Sequence, residues 1–470
     1  MTTLSPTQQG VPPDPSPVEA LTSSAGAPEA PPTLLPTPTV TPTATTTPDP
    51  APLSQAEVRR ALRISTIEGA IATVPITITG AIGGSVFLTG FAMLLGANSF
   101  QLGLLGALPF IGQLFQFVGA YLEERMGNRR GLVLYGALAG RLIWAVLLAL
   151  PFMTFLNGSQ LLIFFIGLAF AYAANGIAGN AWMSWMSDLV PPQRRGSYFG
   201  IRNTVAAISA MLTTFLAGLA LDRFRGQGNE AMGYAVIFGV AVLAALGAAI
   251  LIRHQAEPPL QPKPRVSVRE MFSAPLDNQP FRAFVLANLG WAFVTGIASP
   301  FFNAYGLVAL NLSFATLALT AVVTSAVSLV FGPLAGRLQD KYGNRNVLVA
   351  CIVGTIFLPW GWVLSTPDNI IPLWLTAIFS GVFWPGLSQG LANLLMERSP
   401  ADHRGAAIAA HSAITGVGTL LAGLTGGLLA TILAGSQVAL GPLSIGGLAL
   451  LFVMTSLGRA GMAVVFWKVL

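Results

Sequence analysis

The stretch Ala120-Tyr121-Leu122-Glu123-Glu124-Arg125-Met126-Gly127-Asn128-Arg129-Arg130 returns as Gly336-Arg337-Leu338-Gln339-Asp340-Lys341-Tyr342-Gly343-Asn344-Arg345-Asn346. Aligned on Glu124 and Asp340, both copies read acid, base, any residue, Gly, Asn, Arg. Each copy is a charged knot between two long apolar runs. A basic loop between membrane helices is common, because loops rich in Lys and Arg stay in the cytoplasm. The same six-residue pattern at matching places in two halves points instead to an internally duplicated chain, as transporters often are.

The composition around these loops is that of a membrane protein. The chain of 470 residues is 53% hydrophobic and 9% charged, with a mean hydropathy of +0.68; a soluble domain carries about 25% charge. About 20 apolar residues suffice to cross a bilayer. Runs of that kind fall at 64–95, 100–122, 131–155, 159–186, 199–221, 231–252, 282–310, 314–336, 346–366, 370–396, 405–433 and 443–468, twelve spans in all. Of the 24 Lys and Arg, Arg223 and Arg225 sit opposite the signature loops, and Arg141 and Arg459 lie inside spans. The rest share the side of the two signature loops. That asymmetry places both termini in the cytoplasm. The net charge of +6 thus belongs to short loops beside the bilayer, and nucleic acid is not an expected partner.

Residues 1–52 are rich in Pro, Thr, Ala and Ser and carry no Lys or Arg. They have the pattern of neither a signal peptide nor a transit peptide, and are expected to form a disordered cytoplasmic tail. An N-terminal six-helix bundle is expected over 53–252, a cytoplasmic linker with Pro258, Pro259, Pro262 and Pro264 over 253–281, and a C-terminal six-helix bundle over 282–470. A second echo supports the duplication: Asp188, Pro191, Arg195 and Gly196 recur as Glu397, Pro400, Arg404 and Gly405 at one offset. An acid at the C-terminal end of a helix opposes its dipole, so ion pairs with neighbouring arginines are the expected role of Asp188 and Glu397.

The repeated loop resembles the signature Gly-x-x-x-Asp-Arg-x-Gly-Arg-Arg of the major facilitator superfamily, found after the second and eighth helices. The second copy follows it at Gly336, Asp340, Lys341, Gly343 and Arg345; the first has Ala120 for Gly and Glu124 for Asp. The resemblance implies an all-α polytopic fold of two six-helix bundles related by a pseudo-two-fold axis. It implies a monomeric secondary transporter in the plasma membrane, moving a small solute by alternating access, with protons as a candidate coupling ion and no cofactor. It also implies a cytoplasmic latch made of Glu124, Arg125, Gly127, Arg129, Asp188, Arg195, Gly336, Asp340, Lys341, Gly343, Arg345, Glu397 and Arg404.

In this family the first, fourth, seventh and tenth spans line the cavity. Asn175, Asn180, Trp182, Asn288, Trp291, Trp384, Gln389 and Asn393 are then the cavity candidates, with Thr73, Thr77, Thr79, Trp185 and Asn303 beside them. Their neutral and aromatic character leans towards a neutral or amphipathic solute. Glu68 and Arg141 are the charged candidates for coupling, since charge inside a membrane is costly and usually functional. The alternatives are an interfacial pair of Glu68 with Arg63 or Arg202, and for Arg141 a pair with a buried acid or an anionic substrate. Arg459, in the last span, is expected to be structural. The fifth span lacks the Gly-x-x-x-Gly-Pro-x-x-Gly-Gly motif of proton-antiport drug exporters.

Other classes fare worse. Gly386-Leu387-Ser388-Gln389-Gly390 has nucleophile-elbow spacing, but lies in an apolar run with no histidine beside it, so an enzyme is not expected. Three scattered histidines, His254, His403 and His411, make no metal cluster. The runner-up is a transporter-like protein that holds pigment, lipid or a partner protein. The topology is testable on its own. Reporter fusions after Gly158, Ser313 and Gly441 should read outside, and fusions after Asn128, Pro262 and Asn344 inside. A consistent inversion on either side of 253–281 would break the two-halves reading.

Overall fold

The computed structural model describes residues 53–80, 85–156, 158–258, 276–400, 404–440 and 443–470. The tail at 1–52 and most of the linker, 259–275, lie outside the described residues, and the expectations for them rest on sequence.

Twelve helical segments are long and apolar enough to cross a membrane. Spans 1 to 6 are Gln55–Thr79, Ser99–Met126, Arg129–Phe152, Gln160–Leu189, Pro192–Gly226 and Glu230–His254. Spans 7 to 12 are Gln279–Val308, Phe314–Tyr342, Asn344–Val363, Ile371–Arg398, Ala407–Ile432 and Gly447–Val469. The twelve expected spans are all present, although the first differs in outline. It starts at a capping box in which Ser54 and Glu57 bond each other's backbone N–H groups, satisfying orphan donors that a hydropathy reading ignores. It stops at Gly80, which turns left-handed at φ 63°. A separate short helix, Val86–Leu94, continues towards span 2. Between spans 11 and 12, Gln437–Leu440 (β1) pairs antiparallel with Leu443–Gly446 (β2), with Gln437 opposite Gly446. The sequence reading has a loop at β1 and the start of the twelfth span, 443–468, at β2.

The helices pack through small residues, as they must where lipid removes most of the hydrophobic drive between them. In the first half, a Cβ on Gly176 of span 4 would lie 2.1 Å from the Gly112 carbonyl oxygen of span 2. Large apolar side chains such as Leu162, Ile166 and Phe170 are left on the outside of span 4, where the solvent is lipid.

The two six-helix bundles meet at the ends of the helices away from the signature loops. There the Ser99–Ala107 part of span 2 packs on span 11, and span 5 packs on span 8. These two contacts exchange under the pseudo-two-fold, which relates span 2 to span 8 and span 5 to span 11. Glycines allow the approach: a Cβ on Gly103 would lie 2.5 Å from the Gly423 carbonyl oxygen, and one on Gly218 would lie 3.0 Å from Ala315 Cα. An aromatic cluster seals the same end, with Phe91, Tyr234 and Phe238 of the first half reaching Phe314 of the second. Asp222, at the end of span 5, accepts the backbone N–H groups of Phe314 (2.8 Å) and Ala315 (2.7 Å) at the start of span 8. A carboxylate there also meets the positive end of the span 8 dipole. Among the described residues, these are the hydrogen bonds that cross between the halves. A central cavity is thereby closed at one end.

Candidate functional site

The cavity has two lobes that share Pro109 and Gln113 of span 2 as common wall. The first lobe, about 510 Å³, lies in the N-terminal half. Glu68 of span 1 enters it with only 4% of its surface exposed. Its Oε2 lies 3.6 Å from Arg202 Nη2 of span 5. That guanidinium lies over the Trp182 ring of span 4, 4.3 Å from its centre. Gly69 makes room for it, since a Cβ there would sit 2.8 Å from Arg202 Nη2. Arg141 of span 3 lines the same lobe and makes no hydrogen bond or ion pair with protein among the described residues. Asn175 lines it too, donating to Ala171 one turn back on its own helix (2.8 Å).

The second lobe, about 720 Å³, runs between the halves. Trp291 of span 7 and Trp384 of span 10 face each other across it at 6.5 Å. Trp362, Asn303 and a set of hydroxyls (Ser85, Thr89, Thr295, Ser299, Ser380, Thr419) complete the wall. Arg459 also lines it, which corrects the expectation that the last span stays clear of the cavity. Span 12 packs on spans 7 and 9, so a long side chain aimed between them arrives at the lobe. Arg459 Nη1 donates to the Thr355 carbonyl (2.8 Å), while its Nε has no partner.

Of the expected cavity residues, Asn175, Trp182, Trp291, Trp384 and Asn303 line a lobe. Asn180, Asn288, Gln389 and Asn393 line neither. Each instead bonds across helices. Asn180 donates to Glu123 (3.5 Å) and Asn288 to His411 Nε2 (2.5 Å). Gln389 donates to the Gly332 carbonyl (3.2 Å), and Asn393 donates to Gln339 and Asn344 (3.0 Å each). A buried amide needs partners, and a neighbouring helix supplies them as well as a ligand does. Thr73 and Thr79 bond the carbonyls of Gly69 and Pro75 on their own helix, and Trp185 donates to the Ala256 carbonyl. Gln113 and Gln116 on span 2 and Thr419 on span 11 were missed because the resemblance does not mark those spans as lining. Thr295, Ser299 and Ser380 lie on marked spans 7 and 10, but carry no signal that separates them from other hydroxyls along a helix.

The signature loops resolve into helix ends. Gly127 ends span 2 in a left-handed turn (φ 62°) and Gly343 ends span 8 at φ 84°, conformations that L side chains resist. Gly336 lies about two turns earlier on span 8, where a Cβ would meet Gln389 Oε1 at an ordinary 3.6 Å. Arg129 is fully buried. Its Nη1 meets Asp188 Oδ2 at 2.5 Å, its Nε lies 3.8 Å from Glu257, its Nη2 donates to the Pro258 carbonyl (2.8 Å), and its backbone N–H donates to Glu257 (2.7 Å). Span 3, the end of span 4 and the start of the linker are thus tied at one guanidinium. In the second half Asn344 bonds Glu397, and Arg345 donates to the Trp467 carbonyl (2.6 Å) and lies over its ring. Arg195 caps the end of span 4 through the Ser187 carbonyl (2.6 Å). Of Arg404, only the backbone at the start of its helix is described.

The signature acids themselves differ from expectation. Glu124 and Asp340 are exposed and bond no protein group among the described residues. The side chains turned to the neighbouring helix are one residue earlier. Buried Glu123 accepts from Ser184, and buried Gln339 donates to the Gly386 carbonyl (2.8 Å). One residue is a turn of 100° about a helix axis, enough to move a side chain from the packed face to water. The signature bases follow the acids outward, Arg125 onto Tyr121 (3.4 Å) and Lys341 over the Tyr342 ring.

Comparison with known proteins agrees with this geometry. The profile of the Major Facilitator Superfamily matches residues 69–423 and, in a second register, 308–461. The chain belongs to the major facilitator superfamily and is a multi-pass membrane transporter rather than an enzyme. It is 21% identical over 358 residues to an uncharacterized MFS-type transporter of Methanocaldococcus jannaschii, covering 73% of this chain and 85% of the relative. It is 22% identical over 292 residues to the citrate-proton symporter of Klebsiella pneumoniae, covering 58% of this chain and 64% of that one. The fold is similar to a mutant form of the nucleoside transporter NupG, with a TM-score of 0.68 at 12% identity over 86% of this chain and 99% of that one.

The two arginines of the first signature separate structure from surface. Arg129→Ala breaks a buried charge cluster and should cost about 3 kcal/mol, whereas exposed Arg125→Ala should stay within about 0.5 kcal/mol. Thermal melting in detergent reads the difference. Tryptic cleavage at Lys263, Arg265 or Arg269 should also quicken in the Arg129 variant alone, because the linker loses its tether.

Proposed function

We propose that this transporter moves a small solute across the plasma membrane by alternating exposure of the two-lobed cavity, with protons bound at Glu68 supplying the drive. The observation that carries the reading is a carboxylate almost wholly buried in the cavity wall, between a paired arginine and an unpaired one. An acid so placed switches the charge of the wall when it takes a proton, and Arg202 is released when it does. The relative from Klebsiella is named a proton symporter, which supports the coupling. The M. jannaschii relative also carries a transporter name, so the non-transporting alternative gains no support.

On the orientation read from loop charge, the closed end of the cavity faces outside and the signature loops surround a cytoplasmic opening. Glu124 and Asp340 then stand free in this conformation and find cationic partners when that opening closes. The signature and the short loops after spans 4 and 10 act as the latch of the opposite state, and Arg129–Asp188 and Asn344–Glu397 hold each half rigid while they move.

In proteoliposomes with an imposed pH gradient, Glu68→Gln should lower net solute accumulation by about tenfold or more while solute exchange at equal pH persists. Accumulation that survives in that variant would exclude Glu68 as the coupling site. An ion pair at a wet helix end is worth on the order of 1 kcal/mol. Asp340→Asn should therefore favour the cytoplasm-open state by up to about fivefold. Labelling of single cysteines in the cytoplasmic vestibule, in a Cys351→Ser background, should rise accordingly; unchanged labelling with altered substrate selectivity would place Asp340 in the site instead.

A further inference from the structure

Resting on the reading of the two-lobed cavity as the solute site, we propose that its solute is an organic anion. The chemistry is that of a small carboxylate with an apolar or aromatic body, held by guanidinium groups from both halves.

The cavity wall carries more positive charge than the protein neutralises. Among the described residues, the two lobes are lined by three guanidinium groups, Arg141, Arg202 and Arg459, and by one carboxylate, Glu68. Glu68 is already engaged with Arg202. Arg141 has five N–H donors and gives none of them to a protein acceptor among the described residues. Arg459 is 4% exposed, with Nη1 spent on Thr355 and Nε unsatisfied. Arg459 is thus buried with no acid bonded to it among the described residues. Partly buried Arg141 has as its neighbouring opposite charge only Glu68, which Arg202 already engages. Guanidinium groups so placed at membrane depth are costly and are retained where they serve a ligand or a partner. A carboxylate matches their planar fork with two parallel hydrogen bonds.

The rest of the wall suits the body of such a molecule. Trp384, only partly buried, adds ring surface to the second lobe beside the buried Trp291, and flat apolar groups pack well against it. Lobes of about 510 and 720 Å³ are of the size that encloses small organic ligands. Amides and tryptophans on the marked spans favour a neutral solute in the sequence. The fold adds arginines from spans 3, 5 and 12 to the same wall and reverses that preference. Arg141 belongs to the first half and Arg459 to the second, so an anion held by both binds better as the halves approach. A ligand shifts a conformational equilibrium only through that kind of difference in affinity.

The test is a melting-temperature titration of the purified full-length protein. Phenylacetate, benzoate, succinate and citrate are compared with phenylacetamide, benzamide and succinamide. At least one acid should stabilise saturably while its amide does not. Arg141→Gln and Arg459→Gln should each weaken that binding about tenfold or more, the loss of a charged hydrogen bond. Arg459→Gln also removes the tether to Thr355, so Arg141→Gln is the variant whose folding is not at stake. The proposal is overturned if amides act as well as acids, if no acid acts, or if Arg141→Gln binds like the parent. Stabilisation by phosphatidylglycerol alone would assign the arginines to a lipid headgroup and overturn it too. Flux in proteoliposomes separates this from the transport reading. Carboxylates bound but not moved would keep the anion site and end the transport reading. Neutral solutes accumulated while carboxylates are ignored would do the reverse.

Discussion

The seam between the halves is the contact on which the rest of this structure depends. It lies at one end of the molecule, where span 2 meets span 11 and span 5 meets span 8. Glycines bring those backbones together, because in lipid only close packing and hydrogen bonds favour association. Asp222 adds the hydrogen bonds, to the first turn of span 8. With that end sealed, the cavity lies along the remaining length of the helices, between and within the halves. The proposed alternating access needs this seam to break. Among the described residues it is held by two hydrogen bonds, contacts between small residues, one aromatic cluster and the Arg225 guanidinium over the Phe314 ring (5.6 Å).

Each half, by contrast, is built to stay whole. The polar groups near the signature loops are satisfied inside their own half, Arg129 by Asp188 and the linker, Asn344 by Glu397 and Asn393. Charge that is fully buried costs more to expose than charge at a wet rim. Within each half the deep pairs are buried, and the signature acids and bases Glu124, Arg125, Asp340 and Lys341 are exposed at the helix ends. In the cavity wall this balance is left open. Glu68 has two arginines near it, and Arg459 has no acid among the described residues.

How well the sequence could be read follows from what each feature depends on. The membrane class, the number of spans and the duplicated loops were legible, since each depends on local composition or on a pattern that repeats. Two of the signature glycines, Gly127 and Gly343, end their helices at positive φ, where L side chains are disfavoured, while Gly336 sits within span 8 with no such need. The motif picks out the exposed acids Glu124 and Asp340, whereas the buried side chains beside them, Glu123 and Gln339, which bond the neighbouring helices, carry no motif signal. The amides Asn180, Asn288, Gln389 and Asn393 were named as polar residues at membrane depth. Whether each faced a ligand or a neighbour depended on the rotation of its helix against the next.

What the sequence determined by itself was therefore the class of molecule, its two halves and the chemistry that stands out along a helix: an acid at 68, arginines at 141 and 459, tryptophans at 291 and 384. Hydrophobic length and loop charge act through the bilayer, which imposes them on any chain, so no tertiary contact is needed to read them. Which of those residues share one space was decided only when the helices packed. Arg202 lies on span 5, and it meets Glu68 because Gly69 leaves room for its guanidinium. Arg459 reaches the central cavity because span 12 rests on spans 7 and 9. Such encounters join positions hundreds of residues apart through the angle of one helix on another, a quantity that no local pattern in the chain records.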